Sequence, residues 1–422
     1  MGNTQNCYHT LVTTAVRRSI RANFSFTLTG SLIYSACQWA MVALITKYSP
    51  GNLDDIIIAL SVTAPVIVFF NLQLRLLQAL DSQNDHRFRD FITLRLIAQC
   101  FSLGLLAIWA FAFNSDLALA VCLMVIAASR AFYSIGETFY GEQQKFECMG
   151  GIASSMAMKG VLSLTCFSYF LIVKSDLYSA LAAWAVIHFI TLAFDVKQTL
   201  ALGIRAKELL PTSTLKSMGK LAKKGFPLGV SGLLISLQIN IPNYALMSSE
   251  YKDEIGIFGA LLFLTTVGRK IIESGVRATG PRLSNILVEG RMQRFRQLRL
   301  RLCMLSASLG IAGLLAALFW GESLLAILYT NAFVPYLPVL LWVIGGETLN
   351  FASLALEHAL SAGKKFDAQL RSIISSVLAL VAASWCLIPN YGVLGAAWAV
   401  ALGGAARLLA TIILTRNFDV KK

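Results

Sequence analysis

Arg269, Glu273 and Arg277 stand at i, i+4 and i+8, so they share one face of a helix, with Lys270 beside them. The residues from 255 to 268 are apolar or hydroxylic, which places Arg269 about 14 residues, roughly 20 Å, along that helix. Ionisable groups at such depth are costly and point to function. Guanidiniums facing an internal cleft would bind an anion; guanidiniums facing a carboxylate would form a structural ion pair. The same pair of readings applies to Arg130, with Glu137 two turns on, and to Arg75, Lys159 and Arg407. Side chains near a helix end have a third option, snorkelling to the interface. Glu347, His188 and Asp195 also fall deep inside apolar runs. A carboxylate there takes up a proton or a cation unless a basic partner reaches it, the property that ion coupling requires. Glu347 has no Lys or Arg within two turns on its own helix. Gln38, Asn71, Gln73, Gln238 and Asn240 could bond the hydroxyls of a polar cargo, or bond one another across helices.

The elements that position these groups follow from composition. The chain has 422 residues, 56% of them hydrophobic and 14% charged. Soluble domains carry about 25% charged residues, so this chain cannot cover itself with polar surface. A bilayer core of about 30 Å needs roughly 20 apolar residues per helix. Twelve such runs are readable, near 23–46, 56–78, 92–113, 117–139, 151–173, 177–200, 226–247, 255–277, 302–320, 336–358, 368–388 and 391–415. The expected fold is an all-α polytopic membrane protein of about twelve transmembrane helices.

Charge then gives orientation. With the N-terminus inside, 33 of the 36 Lys and Arg residues fall on the inner side, and Lys47, Lys174 and Lys252 fall outside. That asymmetry predicts that both termini and the basic segments 201–225 and 278–301 are cytoplasmic. The net charge of +14 is thus a topological signal, and no nucleic-acid partner is expected. Arg17, Arg18 and Arg21 precede a first run long enough to remain in the membrane, so no cleavable leader is expected. The eight cysteines form no metal-ligand spacing, and no phosphate loop or nucleophile elbow is present. No metal or cofactor is expected beyond a coupling ion, H+ or Na+.

The chain reads as built twice. Ala182-Ala183-Trp184-Ala185-Val186 in span 6 recurs as Ala396-Ala397-Trp398-Ala399-Val400 in span 12, and Arg87-Phe88-Arg89 before span 3 recurs as Arg294-Phe295-Arg296 before span 9. Lys145-Phe146 recurs as Lys365-Phe366, an offset that also matches Glu137 with Glu357. Six spans per half makes the repeats parallel. The expected organisation is an N-terminal lobe at 1–200, a basic linker at 201–225 and a C-terminal lobe at 226–422. The two pseudo-symmetric lobes would flank a central cleft and work by alternating access.

Two stretches carry a more specific signal. One holds Phe70-Asn71-Leu72-Gln73-Leu74-Arg75, Asp81, Arg89-Asp90-Phe91 and Leu94-Arg95; the other holds Tyr140-Gly141, Gln144, Glu147-Cys148-Met149, Ser155 and Lys159-Gly160. Both resemble the bacterial polysaccharide-biosynthesis flippases of the multidrug/oligosaccharidyl-lipid/polysaccharide exporter superfamily, over about residues 23–200. The resemblance implies a cargo of polyprenyl-pyrophosphate-linked oligosaccharide moved to the outer leaflet for O-antigen, capsule or exopolysaccharide. It also implies a bacterial plasma (inner) membrane location, and membrane lipids with the pathway's polymerase and chain-length regulator as partners. In that light Arg75, Arg130, Lys159, Arg269, Lys270, Arg277 and Arg407 are the candidate basic contacts of the pyrophosphate, and Glu273, on the same stripe as Arg269 and Arg277, is a further candidate substrate-binding residue. Gln38, Asn71, Gln238 and Asn240 are the candidate sugar contacts, and Glu347, His188 and Asp195 the candidate ion-coupling groups. The alternatives are a drug/cation antiporter of the same superfamily, whose cleft should be acidic or aromatic rather than basic, and a membrane-embedded polymerase or ligase. The short outer connections argue against an enzyme.

Overall fold

The computed structural model describes residues 20–81, 85–112, 116–363 and 366–420, and the side chains of all of these except 20–24, 277, 278, 281, 366 and 417–420. Arg17, Arg18, Lys364, Lys365, Lys421, Lys422 and the side chains of Arg21 and Arg277 therefore lie outside the described residues.

Among the described residues the chain is all helix. Spans 1 to 6 are Ile20–Tyr48, Leu53–Phe70 continued by Leu74–Leu80, Phe88–Ala112, Leu117–Lys145, Met149–Ser168 continued by a π turn at Tyr169–Val173, and Leu177–Ala201. Spans 7 to 10 are Leu215–Met247, Ile255–Val288, Met292–Leu328 and Leu337–Ala362. Spans 11 and 12 share the segment Phe366–Val420. Asp116 and Asp176 cap spans 4 and 6, each accepting backbone N–H bonds from the first turn. At Asp176 the Ser179 hydroxyl and backbone N–H hold the carboxyl below its ordinary range.

Helix ends differ from the apolar runs at instructive places. Span 7 starts at Leu215, well ahead of its apolar run, and spans 8 and 9 extend through much of the basic segment between them. The helices project beyond the hydrocarbon, where charged side chains are solvated. The segment Phe366–Val420 would reach roughly 80 Å as one straight helix, far more than a bilayer core needs. It breaks at Gly392, whose φ of +53° suits glycine, and the ring of Tyr251 packs where a side chain would stand. The eleven long apolar helices among the described residues thus supply twelve crossings.

Span 2 is interrupted at Asn71–Gln73, where Leu72 and Gln73 adopt left-handed backbone at φ +48° and +49°. Such backbone costs a non-glycine residue about 1 kcal/mol. Arg95 of span 3 holds the break. Its Nη1 donates to the Asn71 carbonyl at 3.1 Å and to Asn71 Oδ1 at 2.9 Å.

The lobes repeat one packing plan. Span 1 packs on span 5, span 3 on span 4 and span 4 on span 6; in the second half span 9 packs on span 10 and span 10 on the final segment. Phe88 and Phe295, the centres of the repeated Arg-Phe-Arg, are both buried at the start of their spans. Trp184 and Trp398 both bury an indole N–H with no hydrogen-bond partner among the described residues.

The lobes meet unevenly. At the end bearing Lys47 and Lys252, one apolar core takes Met41, Ile45, Ile56 and Leu60 from the first lobe and Leu246, Phe258, Leu261 and Leu325 from the second. Polar stitches cross the same seam. Trp39 Nε1 donates to Tyr329 Oη at 3.0 Å, Tyr244 Oη to the Ser61 carbonyl at 2.6 Å, and Asn243 Nδ2 to Ser61 Oγ at 2.8 Å. Toward the basic end the cores separate: Phe88, Ile92 and Phe139 cluster in one lobe, and Leu283, Phe295 and Leu360 in the other. Leu221 of span 7 joins a first-lobe cluster there, so spans 2 and 7 keep the lobes in touch at that end. The partly exposed side chains of Arg75, Glu137, Arg269 and Lys270 mark the two walls of the expected cleft. Outside, Phe101, Leu105, Ile108 and Phe111 of span 3 and Leu318, Phe319 and Trp320 of span 9 are exposed. Large apolar side chains in such rows belong against lipid, and the chain is a multi-pass membrane protein.

Candidate functional site

The first-lobe wall of the cleft is one face of span 4. Arg130, Tyr133 and Glu137 recur at i, i+3 and i+7, and Gln144 continues the stripe. Arg75, on the second piece of span 2, closes it. Its Nε donates to Gln144 Oε1 at 3.2 Å, its Nη1 stands 3.9 Å from Glu137 Oε1, and its guanidinium lies 5.4 Å over the Tyr140 ring. Arg130 is half-buried, with no hydrogen bond or ion pair to the described residues. It is within electrostatic reach of Tyr34 on span 1 and Tyr244 on span 7, which puts it at the boundary between the lobes.

The second-lobe wall is a chain of contacts through five helices. Arg269 Nη2 donates to Glu347 Oε2 at 2.6 Å, and Asn350 Nδ2 donates to Glu347 Oε1 at 3.2 Å. Gln238 Nε2 donates to Asn350 Oδ1 at 3.1 Å and to Ser376 Oγ at 2.8 Å, while Arg407 Nη1 donates to Gln238 Oε1 at 3.2 Å. Arg407 then clasps Glu357 through Nε at 2.8 Å and Nη2 at 2.9 Å, and Ser372 Oγ donates to the same carboxylate. Such charge-assisted, two-pronged bonds are the strong ones. Arg269, Glu347, Gln238 and Asn350 line one small recess with Gly403 and Gly404.

Several candidates turn away from the cleft. Lys159 and Asp195 form a fully buried pair at 2.6 Å; Lys159 also donates to Tyr140 Oη at 2.8 Å, and Asp195 accepts from Ser155. Neither is free for cargo or for an ion. Arg407 is likewise consumed by Glu357. Asn71 is occupied by Arg95, Gln99 and Ser134, and Asn240 donates to the Ser236 carbonyl of its own helix at 2.7 Å. Of the expected face of Arg269, Glu273 and Arg277, the side chain of Arg277 lies outside the described residues. Arg269 reaches span 10, while Glu273 takes Lys270 at 3.2 Å. Glu347 is not left without a cation: Arg269 supplies it from another helix, so the expectation of an unpaired coupling carboxylate fails at this residue. His188 Nδ1 lies 3.0 Å from the Ser129 carbonyl, within a ring cluster of Tyr34, Tyr133 and Trp184. Gln38 lines a recess with Met41, Trp184 and Phe263, its amide nitrogen buried and without a hydrogen-bond partner among the described residues.

No family profile matches the chain. It is 22% identical, over 389 residues, to the capsular polysaccharide biosynthesis protein CapF of Staphylococcus aureus, spanning 92% of this chain and 97% of that one. Among solved structures it superposes on the lipid II flippase MurJ in an inward closed conformation with TM-score 0.76, at 13% identity over 93% of this chain and 87% of MurJ. It superposes on an outward-facing MATE-family multidrug resistance transporter of the MOP superfamily with TM-score 0.66, at 14% identity over 97% of each chain. The chain shares the fold of that MOP-superfamily transporter and of MurJ.

Within that MOP fold, sequence reading passed over three kinds of residue. Arg95 is fully buried and braces the broken span 2; in sequence it stands in the motif that carries the resemblance but is not among the candidate site residues. Glu357 and Asn350 complete the second-lobe chain; the offset matching Glu137 with Glu357 was the one signal available. Tyr34 and Tyr133 stack at 5.1 Å beside Arg130, and nothing in their spacing marks them, because they come from different helices.

Proposed function

We propose that this chain carries polyprenyl-diphosphate-linked oligosaccharide across the membrane by alternating access, for capsule or a similar surface polysaccharide. The observation that supports it best is Arg130. A half-buried guanidinium deep in the spans and without a carboxylate is expensive unless a ligand anion completes it. Arg75, Arg269 and Lys270 add positive charge on both walls, each partly satisfied and partly exposed. A diphosphate is the anion that such basic walls fit, and a lateral opening between the lobes would let the lipid tail stay in the bilayer. The names of CapF and MurJ agree with this cargo class.

The basic end faces the cytoplasm in this reading, by the excess of Lys and Arg there, and the bilayer is a bacterial plasma membrane. The cleft is then open to the side where lipid-linked sugars are assembled. A cationic drug would meet a basic wall and be repelled, which disfavours an antiporter. The chain acts without chemistry of its own. The test is reconstitution in vesicles loaded with lipid-linked oligosaccharide, scored by the sugar that becomes accessible at the opposite leaflet. Wild type should expose it far faster than empty vesicles, and Arg130→Ala should fall to about the empty-vesicle rate. Equal rates for wild type and empty vesicles would defeat the proposal.

A further inference from the structure

The first-lobe wall holds a carboxylate where a purely phosphate-binding surface should hold none. Glu137 lies two turns along the same helical face from Arg130, its side chain 23% exposed, and accepts no hydrogen bond from the described residues. Its nearest cation, Arg75, stands off at 3.9 Å and spends its Nε on Gln144. Between Arg130 and Glu137 sits Tyr133, stacked on Tyr34 with ring centroids 5.1 Å apart and planes 22° from parallel. Neither phenol hydroxyl has a hydrogen-bond partner among the described residues, whereas Tyr140 on the same helix spends its hydroxyl on Lys159 and Ser155. Stacking, with the His188 ring 6.1 Å from Tyr34 and 5.8 Å from Tyr133, fixes both rings and leaves their polar tips available.

A free carboxylate accepts and never donates, so it repels phosphate and attracts hydroxyl groups. Two phenols can donate or accept. A pair of rigid phenols beside an open carboxylate is suited to a sugar ring, whose hydroxyls both donate and accept. We propose that Glu137 and the hydroxyls of Tyr34 and Tyr133 form a glycosyl subsite beside Arg130, gripping the sugar next to the diphosphate. This rests on the cargo class proposed above and adds that the protein senses whether the lipid is loaded. An empty polyprenyl diphosphate, the carrier on its way back, would satisfy Arg130 and leave the subsite vacant.

The experiment compares two probes on the purified full chain in nanodiscs. One is undecaprenyl diphosphate; the other is the same lipid carrying one sugar, tested as glucose, galactose and N-acetylglucosamine. For wild type, at least one sugar should raise affinity by about tenfold, the effect of one or two charge-assisted hydrogen bonds. Glu137→Gln and the double change Tyr34→Phe with Tyr133→Phe, which keeps the stacked rings, should bring the ratio of the two affinities toward one. If none of the three sugars raises affinity, or if the ratio survives both variants, the subsite is refuted while the diphosphate reading stands. If wild type fails to bind even the sugar-free lipid, the cargo class itself falls, and the subsite with it.

Discussion

The Arg269 guanidinium and the Glu347 carboxylate meet at 2.6 Å across spans 8 and 10, the arginine 19% exposed to the cleft and the glutamate 4%. The pair therefore has an open side and a closed side. A phosphate of the proposed cargo can reach Arg269 from the cleft, but Glu347 behind it is held by Asn350 as its other donor among the described residues. Removing the arginine strands a buried carboxylate. Arg269→Ala should destabilise the protein by about 2 kcal/mol, at the low end for a buried pair because the arginine is partly solvated. Arg269→Ala with Glu347→Ala should recover part of that. Thermal unfolding of both single variants and the double in one detergent checks the cycle; a double loss equal to the sum of the two single losses would show that the two residues are not coupled.

Arg130 should behave in the opposite way. It has no partner to strand, so Arg130→Gln removes a desolvated charge and should hold or raise the unfolding temperature. The same change should weaken binding of undecaprenyl diphosphate by about tenfold or more, since bonds from a charged donor contribute roughly 1.5–3 kcal/mol. Arg130→Lys should recover binding in part, because an ammonium cannot present a planar fork to phosphate oxygens. A loss of stability together with unchanged binding would show Arg130 to be a structural residue.

Lys159 and Asp195 were indistinguishable in sequence from the cleft residues, and the contrast shows what a sequence can and cannot reveal. The crossings were legible because each needs a continuous apolar run, and orientation was legible because charges collect at one end. The partners of charged groups were not. Lys159 meets Asp195, Arg407 meets Glu357 and Arg269 meets Glu347 across different helices, and helical spacing reports which residues share a face, never which face another helix covers. The break in span 2 was hidden for a similar reason. Leu72 and Gln73 are unremarkable residues held in left-handed backbone by Arg95, a neighbour from span 3.

The buried pair gives a third prediction. Lys159→Met leaves Asp195 charged, fully buried and short of its cation, a loss of about 3 kcal/mol or more. Asp195→Asn should be similarly harmful through the stranded ammonium. Lys159→Met combined with Asp195→Leu should fold better than either single variant, because a packed apolar pair can replace a buried ion pair at little cost. Yield and unfolding temperature in detergent measure it. If the double variant is stable and still transports, both residues are structural; if it is stable and inert, they act in transport after all.

The seam between the lobes gives the last prediction. Ser61 of span 2 and Asn243 of span 7 touch at 2.8 Å at the end where the apolar core is continuous, and Tyr244 bonds the Ser61 carbonyl beside them. Alternating access requires this seam to part when the cleft turns to the other side, which breaks those bonds and opens the shared core around Leu60 and Leu246. A covalent tie there should stop the cycle without blocking entry from the basic end. Ser61→Cys with Asn243→Cys, in a chain whose native cysteines are replaced, should lose vesicle transport on oxidation and regain it on reduction. Binding of undecaprenyl diphosphate should persist in the oxidised protein, because Arg130 and Arg269 remain reachable through the open end. Full transport by the cross-linked protein would show that the seam stays shut throughout the cycle, and the cargo would then have to leave by another route.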